Sequence, residues 1–245
     1  MTTALITGAA HGLGACMAEH AARRGYKVGV LDLQLEEAQS VADRINGVAL
    51  AADVTDPDAV EKALDMLGDT PDLLINNAGI LRTGSLIEHS IEDFRLVMDV
   101  NLNSVFIVGQ AVARRMKASG GGAIINLASI NALNPSTLCG AYAAAKAGVI
   151  CLTKQMSMEW GEYNIRVNSI APGFIDSGMS APYYKNQKIR ELRGNAVPLK
   201  RLGSADDIAE CAMFLASDAA GYITGENIAV DGGVINSVLM QLPRE

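Results

Sequence analysis

The apolar run Ala4-Leu5-Ile6 leads directly into Thr7-Gly8-Ala9-Ala10-His11-Gly12-Leu13-Gly14 and then into an amphipathic stretch, so the chain opens with strand, glycine-rich turn and helix. Glycines let a backbone approach a ligand closely, and the helix that follows offers free N–H groups and a partial positive charge. The turn therefore suits a pyrophosphate, with Gly8, Gly12, Leu13 and Gly14 forming its wall and His11 placed to touch phosphate or adenosine edges. Glycines also make ordinary tight turns, so the position after the first strand carries the argument. The second strand, residues 27–31, ends at Asp32, 18 positions after Gly14. A dinucleotide fold places there the carboxylate that accepts ribose hydroxyls. Asp32 favours NAD: a 2'-phosphate would meet like charge, and neither Leu33 nor Gln34 supplies a cation to offset it.

The alternation continues. Residues 36–45 read as a helix and 48–52 as a strand, and Asp56-Pro57 reads as a cap followed by proline at the first helical position. Strands follow at 73–75, 123–128, 166–170 and 227–230, and their short continuous apolar runs suit strands covered on both faces. Ser90-Ile91-Glu92-Asp93 resembles a capping box, opening a long helix to about residue 117 with Asn101 inside it. No polar linker divides the 245 residues, so 1–245 reads as one α/β domain.

Composition narrows the function classes. A net charge of −7 disfavours nucleic acid, whose phosphates need a basic face. No run approaches the ~20 apolar residues that span a bilayer, and the N-terminus lacks a signal-peptide pattern, so a cytoplasmic protein without membrane contact is expected. Cys16, Cys139, Cys151 and Cys211 are scattered and His11, His20 and His89 dispersed, which suggests neither a metal site nor a disulfide framework.

Tyr142 and Lys146 stand one helical turn apart, which puts a phenol and an ammonium on one face. A phenol with a pKa near ~10 is a poor proton acceptor at neutral pH. At ~5 Å and an effective dielectric of ~20, a cation favours the phenolate by about 3 kcal/mol before burial opposes it. Such a pair can serve as a general acid/base, although Tyr and Lys at this spacing also occur on helices with no chemistry.

Thr7-Gly8-x-x-x-Gly12-x-Gly14, Asn76-Asn77-Ala78-Gly79, Ser129 and Tyr142-x-x-x-Lys146 together resemble the short-chain dehydrogenase/reductase family over essentially the whole chain. Ser129 precedes Tyr142 by 13 positions, the family's usual spacing. The resemblance implies a single Rossmann-type, doubly wound parallel sheet of about seven strands flanked by helices on both faces. It also implies a catalytic set of Asn101, Ser129, Tyr142 and Lys146. Asn101 would hold a water through its main-chain carbonyl, Ser129 would bond the substrate oxygen, and Lys146 would lower the tyrosine pKa and hold the nicotinamide ribose. Asp53 and Val54 would meet the adenine, although Asp53 could instead organise its own turn. Asn77, Ala78 and Gly79 would shape the cofactor floor, and Leu33 would lie beside the ribose. Pro172, Gly173, Ile175 and Ser177 resemble the nicotinamide-binding turn, with Ser177 where threonine is common.

The expected reaction is hydride transfer between a secondary alcohol carbon and NAD, with oxidation favoured in cells because NAD is kept largely oxidised. A helical lid at about 178–198 would set specificity. Ser129, Asn131, Leu133, Cys139, Tyr142, Phe174, Met179 and Tyr183 are its expected substrate neighbours. The lid region is locally basic, which suits either a solvated helix face or an anionic substrate. One rival is an NADPH-dependent 3-oxoacyl-carrier-protein reductase, disfavoured by His11 where arginine is usual and by Gly120 and Tyr163 where basic docking residues are usual. The other is a non-catalytic dinucleotide-binding protein. The family favours a homotetramer or homodimer formed through the long helices and the C-terminal segment.

Overall fold

The chain alternates β1 (Thr3–Thr7), α1 (Gly12–Arg23), β2 (Lys27–Asp32), α2 (Leu35–Ile45), β3 (Val48–Ala51), α3 (Pro57–Leu67) and β4 (Leu73–Asn76). After a loop come α4 (Ile91–Met98), a π-helical turn (Asp99–Asn103), α5 (Ser104–Ser119), β5 (Gly122–Leu127), α6 (Tyr142–Trp160) and β6 (Ile165–Pro172). The short α7 (Ala181–Tyr184), α8 (Gln187–Ala196), α9 (Ala205–Ala216) and β7 (Asn227–Val230) complete it. The computed structural model describes residues 2–237 and 240. The C-terminal segment expected to join in self-association therefore lies partly outside the described residues.

All seven strands are parallel, in the order β3-β2-β1-β4-β5-β6-β7. Strands β1, β4 and β5 are buried almost throughout, as parallel strands covered on both faces must be. Ala15, Ala18 and Ala21 of α1 share one layer with Ala38 and Val41 of α2 and Ile208 and Ala212 of α9. Leu64 and Leu67 of α3, Val108 and Val112 of α5 and Met156 of α6 fill the other. Strand order reverses between β1 and β4, where connections leave in opposite directions and open a crevice beyond the strand ends.

Two expectations change. The helix anticipated as continuous from residue 91 to about 117 runs from Ile91 to Ser119 but is broken into α4 and α5 by the π turn. This stretch is also long and apolar enough to cross a bilayer, contrary to the composition reading; half of its most apolar window is buried inside the fold. Its cap is half a box: Ser90 Oγ accepts from the Asp93 N–H at 3.0 Å, while Asp93 pairs with Arg82 at 3.6 Å. A complete box opens α9 instead, between Ser204 and Asp207.

The fold also joins residues that look scattered in sequence. His20 of α1 is 5% exposed, and its two ring nitrogens face Asp206 at 2.7 Å and Glu210 at 3.1 Å on α9. Arg24 holds Glu210 at 2.6 Å, and Cys16 Sγ lies 3.7 Å from Asp206. Ligand atoms of Cys16, His20 and Asp206 fall within 4.8 Å of one another, so the cysteines and histidines are less dispersed than their spacing implies. The partners satisfy one another as a polar network between α1 and α9. Burial and the Asp206 carboxylate push the Cys16 thiol up to about 11, which keeps it protonated. His20→Leu should lower stability by about 1–3 kcal/mol by removing the imidazole that bridges α1 to α9, measured by thermal unfolding.

Candidate active site

The crevice holds the groups expected to bind a dinucleotide. Gly8 and Gly12 adopt φ of +61° and +60°, and a Cβ on Gly12 would lie 2.6 Å from Gly178 Cα, so the turn admits no side chain there. His11 precedes α1 in extended conformation and its side chain caps no N–H; no acidic residue occupies the first turn. The capping carboxylates and hydroxyls of α3 and α9 make the contrast plain. Donors left open at the head of α1 fit a pyrophosphate. Leu13 packs toward the core, which leaves its main chain to face the groove.

Thr7, which the sequence reading placed in the glycine motif without a role of its own, ties this turn to the next. Its Oγ1 accepts from the N–H groups of Asn77 at 3.0 Å and Ala78 at 3.1 Å, while Asn77 Nδ2 donates to the carbonyls of Thr7 and Gly8 at 3.0 and 2.9 Å. The structure thus gives the Asn77 side chain a positioning role. Asp32 Oδ2 accepts from Ala10 N–H at 3.1 Å and Oδ1 from Gln34 N–H at 3.3 Å, and Leu33 is 69% exposed beside it. Exposed His11 has its ring 3.9 Å from Glu37. Asp53 Oδ1 accepts from both the N–H and hydroxyl of Thr55, at 2.8 and 2.7 Å, which is the turn-organising arrangement. Val54 is buried against the core.

Two of the four expected catalytic residues, Asn101 and Lys146, converge on Gly79. Asn101 lies in the π turn, fully buried, and donates from Nδ2 to the carbonyls of Ile80 and Val97, both at 2.9 Å, while Oδ1 accepts from Ile80 N–H at 3.3 Å. The structure assigns this side chain to pinning the loop after β4, where the sequence reading considered only its main-chain carbonyl. A π turn widens the helix and is a recurrent device at functional sites. A Cβ on Gly79 would meet Asn101 Oδ1 at 2.7 Å and Lys146 Nζ at 3.6 Å, so this glycine leaves room for both. Ser129 follows β5 and accepts from Asn131 N–H at 3.1 Å. Tyr142 opens α6, and Lys146 one turn later donates from Nζ to Leu127 O at 2.7 Å.

Electrostatics corrects one expectation. Burial pushes the Tyr142 phenol above its ordinary 10, and a hydrogen bond from Ser129 offsets only part of that. Lys146 does not win the contest: its Nζ is 5.8 Å from the tyrosine ring centre, turned onto Leu127 O, and burial lowers its own pKa from 10.5 to about 8. Desolvation is the largest cause of both shifts, and neither shift is owed to the other group. A lysine with a depressed folded-state pKa destabilises the fold where it must stay charged. Stability therefore rises as pH passes from about 8 toward 10.5. Lys146→Met should gain stability on wild type at neutral pH and lose that advantage near pH 10, by up to about 3 kcal/mol in chemical denaturation of the cofactor-free protein.

The lid forms as a short 3-10 turn at Gly178–Ser180, α7 and α8. Its root is fixed by Gly203 N–H donating to Phe174 O and Asp176 N–H to Gly203 O, both at 2.9 Å. Ile175 is buried there, Pro172 ends β6, and a Cβ on Gly173 would strike Asp231 Cα at 2.6 Å. Ser177 precedes the 3-10 turn with its hydroxyl uncommitted to a cap. Phe174 and Asn131 are partly buried, the latter accepting from Ser136 N–H at 3.1 Å. Met179, Tyr183 and Leu133 are 45%, 44% and 40% exposed at the rim. Cys139 lines an apolar cavity of about 670 Å³ with Leu86, Phe94, Leu138 and Ala143. That cavity lies along Ala143, Ala144 and Ala147, on the helix that Tyr142 opens.

A glycine turn with open helix donors after β1, a carboxylate at the end of β2, Ser129 after β5 and the Tyr142/Lys146 pair on α6 are the features of an oxidoreductase that binds a nicotinamide dinucleotide. The chain belongs to the short-chain dehydrogenase/reductase family: a family model described as Enoyl-(Acyl carrier protein) reductase matches residues 8–235. It is 41% identical over 241 residues to the 3-oxoacyl-[acyl-carrier-protein] reductase of Chlamydia trachomatis, covering 95% of this chain and 96% of the relative. It is 36% identical to the NAD-dependent glycerol dehydrogenase of Listeria innocua, covering 94% and 92%. Its fold superposes on a putative gluconate dehydrogenase from Agrobacterium tumefaciens with a TM-score of 0.92 at 33% identity, covering 96% of each chain. Chemistry on CH–OH and keto groups follows from this membership.

Proposed function

We propose that the protein is an NAD-dependent dehydrogenase interconverting a small secondary alcohol and its ketone, with Tyr142 as general acid/base. The observation that carries the cofactor preference is the Asp32 carboxylate at the end of β2, flanked by exposed Leu33 and Gln34 with no cation bonded to it among the described residues. Gly8, Gly12 and Gly14 with the head of α1 would hold the pyrophosphate, Asp32 the adenosine ribose, and Lys146 the nicotinamide ribose. When bound, oxidised NAD supplies the hydride acceptor and a positive ring charge. Tyr142 takes the alcohol proton, Ser129 bonds the substrate oxygen, and Asn101 keeps the loop after Gly79 in register with Lys146. The neutral phenol that burial enforces is the form that donates a proton in ketone reduction.

Relatives named for glycerol, D-threitol and sorbitol oxidation and a structural neighbour named for gluconate support a polyol or sugar-acid substrate. A panel of secondary alcohols assayed with NAD tests the reading, and turnover of none would reject it. A second reading, 3-oxoacyl-carrier-protein reduction, is favoured by the 41% identical relative and by Lys117 Nζ, 3.8 Å over the Tyr163 ring near Gly120, which offers a cation for an acidic carrier. NADPH-dependent reduction of an acetoacetyl thioester, outpacing every alcohol in the panel, would select it. We further propose a homodimer or homotetramer built on α4–α5 and α6, where Phe94, Phe106 and Met158 are 38%, 45% and 77% exposed. Light scattering should give two or four times the 25.7 kDa chain mass, and a monomer would reject this.

A further inference from the structure

The basic balance of the lid resolves, residue by residue, into one cation of a different kind. Arg190 pairs with Asp176 at 2.6 Å, Arg201 with Asp207 at 2.7 and 2.8 Å, and Lys200 donates to Asn195 O at 2.8 Å. Lys185 and Lys188 are exposed. Arg193 of α8 is partly buried, and its guanidinium carbon lies 5.2, 5.6 and 5.9 Å from the ring centres of Phe174, Tyr184 and Tyr183. Its one polar contact among the described residues is the Tyr184 hydroxyl, which accepts at 3.3 Å. No carboxylate among the described residues pairs with it, so most of its five N–H donors are uncommitted.

Ring faces attract a guanidinium and hold it flat, but they leave its in-plane donors free, and those donors match the two oxygens of a carboxylate or phosphate. The position matters as much as the chemistry. Phe174 emerges from the end of β6, and β6 is the immediate neighbour of β5, whose end leads to Ser129; Ala128 N–H donates to Ile170 O at 2.7 Å. Arg193 therefore stands over the ring that leaves the sheet one strand away from the expected substrate-oxygen site.

We propose that the substrate alcohol carries a terminal oxyanion, a carboxylate or a phosphate, and that Arg193 receives it in a two-pronged contact under the lid. This rests on the dehydrogenase reading above and names the substrate class of that site. Binding is measured apart from turnover, so the two readings fail separately. Gluconate, sorbitol 6-phosphate and sorbitol, polyol chains differing in their terminal group, are titrated calorimetrically into the NAD-loaded Tyr142→Phe protein, with and without Arg193→Met.

At least one anion should bind about tenfold or more tightly than sorbitol, as a charge-assisted hydrogen bond provides, and which anion does so distinguishes carboxylate from phosphate. Arg193→Met should abolish that margin and leave sorbitol unchanged, while Arg193→Lys should recover part of it. Thermal unfolding checks that each variant is folded, and Arg193→Gln replaces the methionine if that variant is not. Equal binding of all three ligands, no binding by any, or an equal loss for all three on substitution would overturn the proposal and leave Arg193 as packing between lid rings.

Discussion

Tyr142→Phe is expected to lower kcat by about a thousandfold or more while NADH affinity stays within about threefold. The substitution removes only the hydroxyl. Ser129 keeps its place after β5, Lys146 keeps its bond to Leu127 O, and the Thr7–Asn77 bonds that brace the glycine turn do not involve residue 142. Steady-state turnover and NADH fluorescence titration separate the two quantities; near-normal turnover would remove Tyr142 from the chemistry. The same residue governs pH dependence. Burial holds the phenol above its ordinary value, so alcohol oxidation, which needs the phenolate, should gain about tenfold per pH unit through the neutral range. Ketone reduction, which needs the phenol, should stay flat there. A reversed pattern would mean that another group moves the proton.

The second large effect concerns cofactor choice. Asp32→Ala should shrink the NAD/NADP ratio of kcat/KM by at least about a hundredfold, since a carboxylate at ~5 Å from a 2'-phosphate at an effective dielectric of ~20 repels it by several kcal/mol. The substitution also frees two donors, because the N–H groups of Ala10 and Gln34 now point at the Asp32 oxygens. They could then receive a phosphate. An unchanged ratio would reduce Asp32 to an organiser of its own turn, the part it plays in the cofactor-free protein.

What could be read from sequence had local causes. Continuous apolar runs produce buried parallel strands, so β6 and β7 stand where expected, and the glycine turn joins β1 to α1 as the sequence places it. Tyr142 and Lys146 share a helical turn, and no tertiary contact could separate them. What escaped depended on distant partners. The Thr7 hydroxyl gains its meaning only when β4 arrives beside β1, and His20 only when α9 packs on α1. The π turn at Asn101 has no period to betray it. The Tyr142 phenol was misjudged because burial, named from sequence only as an opposing influence, cannot be sized without the fold, and it is the largest influence on both partners. Arg193 was one of six basic residues until the fold paired its neighbours and left it among rings.

Gly12 and Gly178, both at positive φ, meet almost backbone to backbone, the first in the phosphate turn and the second at the start of the lid. No side chain separates the two segments, so neither can shift toward the other without collision. A single methyl added at Gly12 would have to prise the glycine turn away from the root of the lid.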